Sequence, residues 1–274
     1  MSNRSTLGAK LIAAPYIVWA ALFIIAPLIF VVYYSFTTAD GSFTFANMAE
    51  LGKYAPTFLR SIWFGIVATL ICLVIAFPLA YFISQKTDKV QRTLVLLVML
   101  PMWMSFLIRT YSWMALLQDT GLINGFLSKL GIDPVHMINT PGAVILGMVY
   151  NFLPYMIMPI YSVMAKLDYS MVEACQDLGG NRLTVIRRCI IPMSMPGVVS
   201  GITMVFVPSV STFYISQKLG GGSFDLIGDV IERQFQQSYN YNLGAAISLV
   251  LMVLILICMA VMNHFTEDEE GMII

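Results

Sequence analysis

The sequence predicts an all-α integral membrane protein with about six transmembrane helices, and three observations carry that prediction. Hydrophobic residues make up 58% of the 274 and charged residues only 11%, with a mean hydropathy of +0.80; soluble domains run near 45–50% and about 25%. Apolar runs of roughly 20 residues, the length that crosses a hydrocarbon core of about 30 Å, recur about six times. Lysine and arginine gather in alternate connecting segments, as the positive-inside rule requires.

The runs cover approximately Leu11 to Phe36, Phe58 to Ile83, Thr93 to Leu117, Ala143 to Ala165, Val198 to Ile215 and Leu243 to Met262. The first is too long for a signal peptide and no small-residue cleavage site follows it, so it reads as a retained span. Arg4 and Lys10 precede that span, Lys86, Lys89 and Arg92 join the second to the third, and Lys166, Arg182, Arg187 and Arg188 join the fourth to the fifth. These segments are predicted to be cytoplasmic, together with both termini. The opposite loops, around Asp40 to Pro56, Gln118 to Thr140 and Lys218 to Asn242, hold fewer basic residues (Lys53, Lys129, Lys218, Arg233) and are predicted to face outward. The tail Glu267-Asp268-Glu269-Glu270 does not disturb this, because carboxylates weigh little in the rule.

Several function classes are excluded or disfavoured. A formal net charge of zero leaves no basic patch for nucleic acid. Of the four cysteines, Cys72 and Cys258 fall in spans and Cys175 and Cys189 in a cytoplasmic segment, which points to reduced thiols rather than a disulfide framework. His136 and His264 have no ligand-spaced companions, so no metal site is expected. Neither a nucleophile–base arrangement nor a G-x-x-x-x-G-K-[ST] loop occurs, so nucleotide binding by that loop is excluded.

Polar residues interrupt two of the spans. Pro101 opens PMWMSFLIRTYSW, where Trp103, Phe106, Arg109, Thr110 and Trp113 fall on one broad stripe if the helix is continuous. In the fifth span, Pro208 stands beside Ser209, Ser211, Thr212 and Tyr214. These stretches read as walls of a polar route, with Trp103, Arg109, Tyr111, Trp113, Ser211 and Tyr214 as the residues facing it. Two other readings stay open: small polar residues mediate helix packing in membranes, and Trp103 suits an interfacial anchor. An arginine within a span costs roughly 2.5–3.5 kcal/mol, so Arg109 either meets protein or water or snorkels to the interface.

Between the fourth and fifth spans lies EACQDLGGNRLTVIRRCIIPMSMPG, Glu173 to Gly197, too polar for lipid. Ser170 and Glu173 have capping-box spacing, which starts a helix near Met171. Gly179 is placed to end it in the left-handed conformation, and Asn181 to cap a second short helix carrying Arg182, Arg187 and Arg188 toward Pro192. The two helices then form a sharp bend at the cytoplasmic face. An amphipathic connector lying on lipid headgroups would have the same pattern.

Glu173-Ala174-Cys175, three residues, Gly179, nine residues, then Cys189-Ile190-Ile191-Pro192 resembles the E-A-A-x-x-x-G-x(9)-I-x-L-P signature of permease subunits in ABC-type importers. Cysteine replaces the second alanine and Cys189 stands where isoleucine is usual; both substitutions keep a small or apolar side chain. The resemblance implies the type I importer permease fold. It makes the segment about 168–197 a coupling helix seated on a separate ATP-hydrolysing subunit, with Glu173, Ala174, Cys175, Asp177, Gly179, Arg182 and Pro192 in that role. SFLIRTYSWMALL, GLINGFL, VYNFLPYMIMPIYSVMAKLD, YISQKLGGG and LIGDVIERQF extend the likeness, and resemble most closely the first permease subunit of spermidine/putrescine importers.

What the resemblance implies is a single transmembrane permease domain over residues 1–274, in a bacterial cytoplasmic membrane. It would pair with a second permease subunit, two ATPase subunits that bind ATP and Mg, and an extracytoplasmic substrate-binding protein, and would carry no cofactor or catalytic residue of its own. Against the polyamine reading stands the absence of carboxylates well inside the predicted spans, which leaves aromatic faces as the cation contacts. Permeases for phosphonate, ferric iron or another small solute share the general plan, and Arg109 favours an anion. A proton-coupled secondary transporter would need titratable groups deep in its spans, which are nearly absent.

Overall fold

The computed structural model describes residues 15–167, 169–177 and 179–270. The expectations on Arg4, Lys10, the side chains of Arg182 and His264 and the acidic tail's carboxylates lie outside the described residues. The helices, in order, are α1 Pro15–Ser35, α2 Ala55–Ser84, α3 Asp88–Met99, α4 Phe106–Leu117, α5 Leu122–Lys129, α6 Pro141–Met164, α7 Tyr169–Asp177, α8 Leu183–Ser211, α9 Tyr214–Leu219, α10 Ile227–Gln236 and α11 Tyr241–Glu270. The described residues contain no strand, only an isolated bridge between Thr37 and Phe43. Among the described residues five helices are long and apolar enough to cross a membrane, or six if Asp88–Trp103 and Phe106–Lys129, bent by 87° at the break between them, make one broken span.

That bend corrects the third predicted span. Pro101 sits in a 3-10 turn, Leu100–Trp103, and Met104 and Ser105 are extended, with ψ of 147° and 132°. Proline lacks the amide that would continue the ladder and disfavours helix in the residue before it, so Thr93 to Leu117 is not one rod. The fifth predicted span is corrected at both ends. It starts at Leu183, runs through Pro192 and Pro196 and stops at Ser211, because Thr212 is extended (ψ 143°). A π turn at Ile186–Ile190 precedes Pro192, with Ile191 N–H bonding to Ile186 O; the loosened ladder admits the proline without a break. The remaining spans agree with the apolar runs to within a few residues.

Backbone contacts divide the chain into two compact units. One comprises the described residues up to Ala55 with Val230–Leu254; the other comprises Pro56–Asp229 with the described residues from Ile255 on. In the first unit, asparagines organise the end of α1. Asn47 Nδ2 donates to Ser35 O and Thr37 O at 3.2 and 3.0 Å, and Asn242 Nδ2 donates to Thr37 O at 2.6 Å. The Phe36, Phe43 and Phe45 rings pack beside that turn, Phe43 and Phe45 edge to face at 5.1 Å. None of the apolar window of α1 is buried within the chain, which suits a helix whose surroundings are lipid or another subunit.

The second unit is organised by α6 and α8, which pack through glycine. A Cβ at Gly197 would lie 2.8 Å from Pro159 O and 3.0 Å from Ile160 Cα, and one at Gly201 would lie 2.7 Å from Met156 Sδ and 3.2 Å from Met156 O. This is a small-x-x-x-small contact, in which the missing side chains let two backbones approach in the absence of any hydrophobic drive between helices in lipid. Gly65 of α2 instead makes room for the side chains of Val210 and Phe206 of α8. Around these contacts Ala68, Cys72, Val144, Met148, Met156, Ile160 and Val205 are fully buried.

Candidate functional site

Two sites come from the sequence, and both lie in the second unit. The first is α7 and the turn that follows. Glu173, Ala174 and Asp177 are exposed on α7, whereas Val172 and Cys175 pack against the core. The helix opens at Tyr169 rather than near Met171, which puts Ser170 inside its first turn. Its end is a Schellman turn: Gly180 N donates to Cys175 O at 3.1 Å and Gly179 N to Gln176 O at 2.8 Å. Gly179 has φ +82°, and a Cβ at Gly180 would lie 2.5 Å from Cys175 O, so neither position accepts a side chain freely. Asn181 Oδ1 then accepts from Thr184 N at 2.9 Å, the N-cap expected of it.

Beyond this cap the second helix is not a separate short element but the first turns of α8. Val185, Cys189 and Ile190 are buried there, and Arg187, Arg188 and Pro192 are exposed. Cys189 Sγ lies 3.8 Å from Met171 O, on the face of α7 that also carries Cys175 one turn later. Both cysteines therefore stand on the packed side of the turn, where a small or apolar side chain fits. All four cysteines are free thiols.

The second site is the predicted route. The break at Met104 and Ser105 takes Trp103 off the stripe; it is 74% exposed on its 3-10 turn, as an interfacial anchor would be. The structure brings Tyr111 and Tyr214 together, ring centroids 6.2 Å apart, with Phe106 5.9 Å from Tyr214. Trp113 instead meets Tyr150 of α6, edge to face at 5.3 Å. Ser211 is exposed, and its hydroxyl donates to Val207 O at 3.0 Å within its own helix. A cleft of about 520 Å³ between α3, α6 and α8, with Met99, Met102, Tyr155, Met158 and Met204 in its wall, holds none of the predicted route residues.

Arg109 does not snorkel. It is 7% exposed, its Nε and Nη1 have no hydrogen-bond partner, and its guanidinium carbon lies 6.0 Å from the Phe106 ring. A desolvated cation with two idle donors is costly unless something supplies an acceptor.

Three features escaped the sequence reading. Lys218 Nζ lies 5.5 Å from the Tyr111 ring and 5.7 Å from the Tyr214 ring, and the four-residue spacing of Tyr214 and Lys218 was a legible signal for a shared helix face. Asp229 is 6% exposed; its carboxylate accepts from Ser216 Oγ at 2.9 Å and from Leu226 N at 2.8 Å, so it locks the start of α10 to α9. The Gly197 and Gly201 pair was present as GVVSG, a spacing with a known membrane meaning.

Comparison with known proteins completes this picture. The spermidine/putrescine transport system permease protein PotB of Escherichia coli K12 is 38% identical over 245 residues, 86% of this chain and 89% of that protein. PotB of Haemophilus influenzae is 37% identical over 246 residues, 86% of each chain. The crystal structure of a bacterial ABC transporter involved in the import of the acidic polysaccharide alginate superposes with a TM-score of 0.78 at 19% identity, over 97% of this chain and 96% of that one, which is a likeness of fold. The family model of the binding-protein-dependent transport system inner membrane component matches residues 44–267. A glycine-closed polar turn leading into a long span, in an all-α membrane chain with that match, places this protein in the binding-protein-dependent transport family, as a permease of the ABC importer type.

Proposed function

We propose that this permease moves spermidine and putrescine inward across a bacterial cytoplasmic membrane by alternating access. The observation that carries the substrate is the 38% identity to the PotB permeases over most of both chains. Residues 1–274 act as a single permease domain beside a second, different permease subunit. Two ATPase subunits bind ATP and Mg, and an extracytoplasmic binding protein delivers the substrate. The exposed face of α7, with Glu173, Ala174 and Asp177, seats in the ATPase, and the Gly179 turn passes its movement to α8. Both termini are cytoplasmic on this reading. Single cysteines placed near Lys89 or Asn181 are then expected to resist membrane-impermeant thiol reagents in intact cells, and ones near Gly41 or Asn124 to react.

A second reading, import of an anionic solute such as a phosphonate, is favoured by Arg109, whose Nε and Nη1 are buried without an acceptor. Uptake by proteoliposomes holding the whole importer, with radiolabelled spermidine, putrescine, a phosphonate and ferric iron compared side by side, separates the two. ATP-dependent accumulation of polyamines is expected. Accumulation of a phosphonate with polyamines ignored would reverse the assignment.

A further inference from the structure

Tyr111 and Tyr214 form a seat for an ammonium group, and the chain already places one there. The two rings meet edge to face with their planes at 84°. Lys218 Nζ lies 5.5 and 5.7 Å from their centroids, inside the roughly 6 Å over which a cation is drawn to an aromatic face. Among the described residues Lys218 has no carboxylate partner.

The short helix that presents it is held on three sides. Leu219 O accepts from Asn139 N at 2.8 Å, Ile215 and Leu219 fill the notch left by Gly147, and Ser216 Oγ is bonded to Asp229. A Cβ at Gly228 would lie 2.6 Å from Ser211 O and 2.5 Å from Thr212 O, so the start of α10 closes on the break before α9. The lysine stem is flexible, but its root is not.

We infer that Lys218 is a tethered ammonium that occupies the Tyr111–Tyr214 seat while the route is empty and yields it to an ammonium group of the substrate. The inference rests on the polyamine reading for its substrate. A lysine on a short stem meets the rings at an effective concentration on the order of millimolar. A free cation must outcompete it. A monovalent inorganic ion brings one charge and a firmly held hydration shell, so it gains little by the exchange. A polyamine brings several ammonium groups, and those not seated on the rings find acceptors elsewhere along the route. Lys218 thus selects for multivalent amines, and once displaced it repels the bound cation, which hastens release.

Replacing Lys218 by methionine keeps the stem and removes the charge. In the complete importer, equilibrium binding of radiolabelled spermidine is expected to tighten about 3- to 10-fold in Lys218→Met, while ATP-dependent turnover slows because release becomes harder. Damage to packing alone would weaken binding and slow turnover together. Weaker or unchanged spermidine binding would overturn the inference, weaker binding marking Lys218 as a structural or anion-attracting group.

A second measurement does not depend on polyamines. Acetylation of Lys218 in the wild-type complex, followed by mass spectrometry, is expected to quicken at least about 3-fold with high tetramethylammonium, which fills the rings and releases the lysine. An unchanged rate would overturn the inference. If tetramethylammonium quickens acetylation and the importer ignores polyamines, the tethered ammonium stands and the polyamine reading fails. If polyamines enter and neither measurement moves, the reverse holds.

Discussion

The two ends of α8 are built differently. At Leu183 the helix continues from a turn flanked by exposed polar side chains, Glu173 and Asp177 on α7 and Arg187 and Arg188 on the first turns of α8. At Ser211 it breaks into α9, whose turns are pinned by Asn139, Gly147 and Asp229. Between them runs the glycine contact with α6, where Gly197 and Gly201 admit the backbone of Pro159 and Met156. A bare polar end on a closely packed shaft is suited to receiving movement from another protein, and a pinned end to holding side chains in register. The shaft between them is closely packed, the kind of element that would pass on a movement with little slack.

Breaking the shaft should have the largest effect. A side chain at Gly197 meets the backbone of Pro159 and Ile160, and one at Gly201 meets Met156 Sδ with the Met156 backbone just behind it, so leucine at both positions drives α6 and α8 apart. Uptake is expected to vanish, and membrane abundance measured by immunoblot to fall by about tenfold or more, since such overpacking costs roughly 1–3 kcal/mol at each site. Full abundance with normal uptake would show that the shaft is not required.

Breaking only the bare end should spare folding. Gly179→Val places a β-branched residue at φ +82°, a strain of about 1–3 kcal/mol in a turn with open space around it. Uptake and substrate-stimulated ATP hydrolysis are expected to drop together by about tenfold, with abundance held. Gly179→Asn sharpens the test, because asparagine tolerates the left-handed region; it is expected to keep at least about half of both activities. A Gly179→Val variant that hydrolyses ATP normally in response to substrate would detach the turn from coupling.

The smallest effect is expected on α4, which packs against the pinned α9. Trp113→Leu removes the indole that meets Tyr150 and leaves an apolar side chain. Spermidine uptake in proteoliposomes is expected to slow about 2- to 5-fold, the range of one aromatic contact of about 0.5–1 kcal/mol, with abundance unchanged. Trp103→Leu, on the far side of the break, is expected to change uptake by less than twofold. Equal loss in the two variants would restore the single aromatic stripe that the bend divides.

The spans, the glycine turn and the capping asparagine were legible because each depends on local chemistry. Apolar length meets the thickness of a bilayer, a left-handed turn favours glycine, and an N-cap needs a short side-chain acceptor. The helix α8 was legible only in part, since the sequence divides it into a short helix ending toward Pro192 and a span from Val198, whereas the π turn before Pro192 lets one helix run through. What neighbours a side chain across the bundle depends on long-range packing that no local pattern encodes. Trp103 lost its stripe to a bend of 87°, Trp113 packs edge to face on Tyr150, and Arg109 was enclosed with two donors idle. Lys218 reached the two tyrosines because Gly147, Asn139 and Asp229, far apart in the chain, fix the helix that carries it.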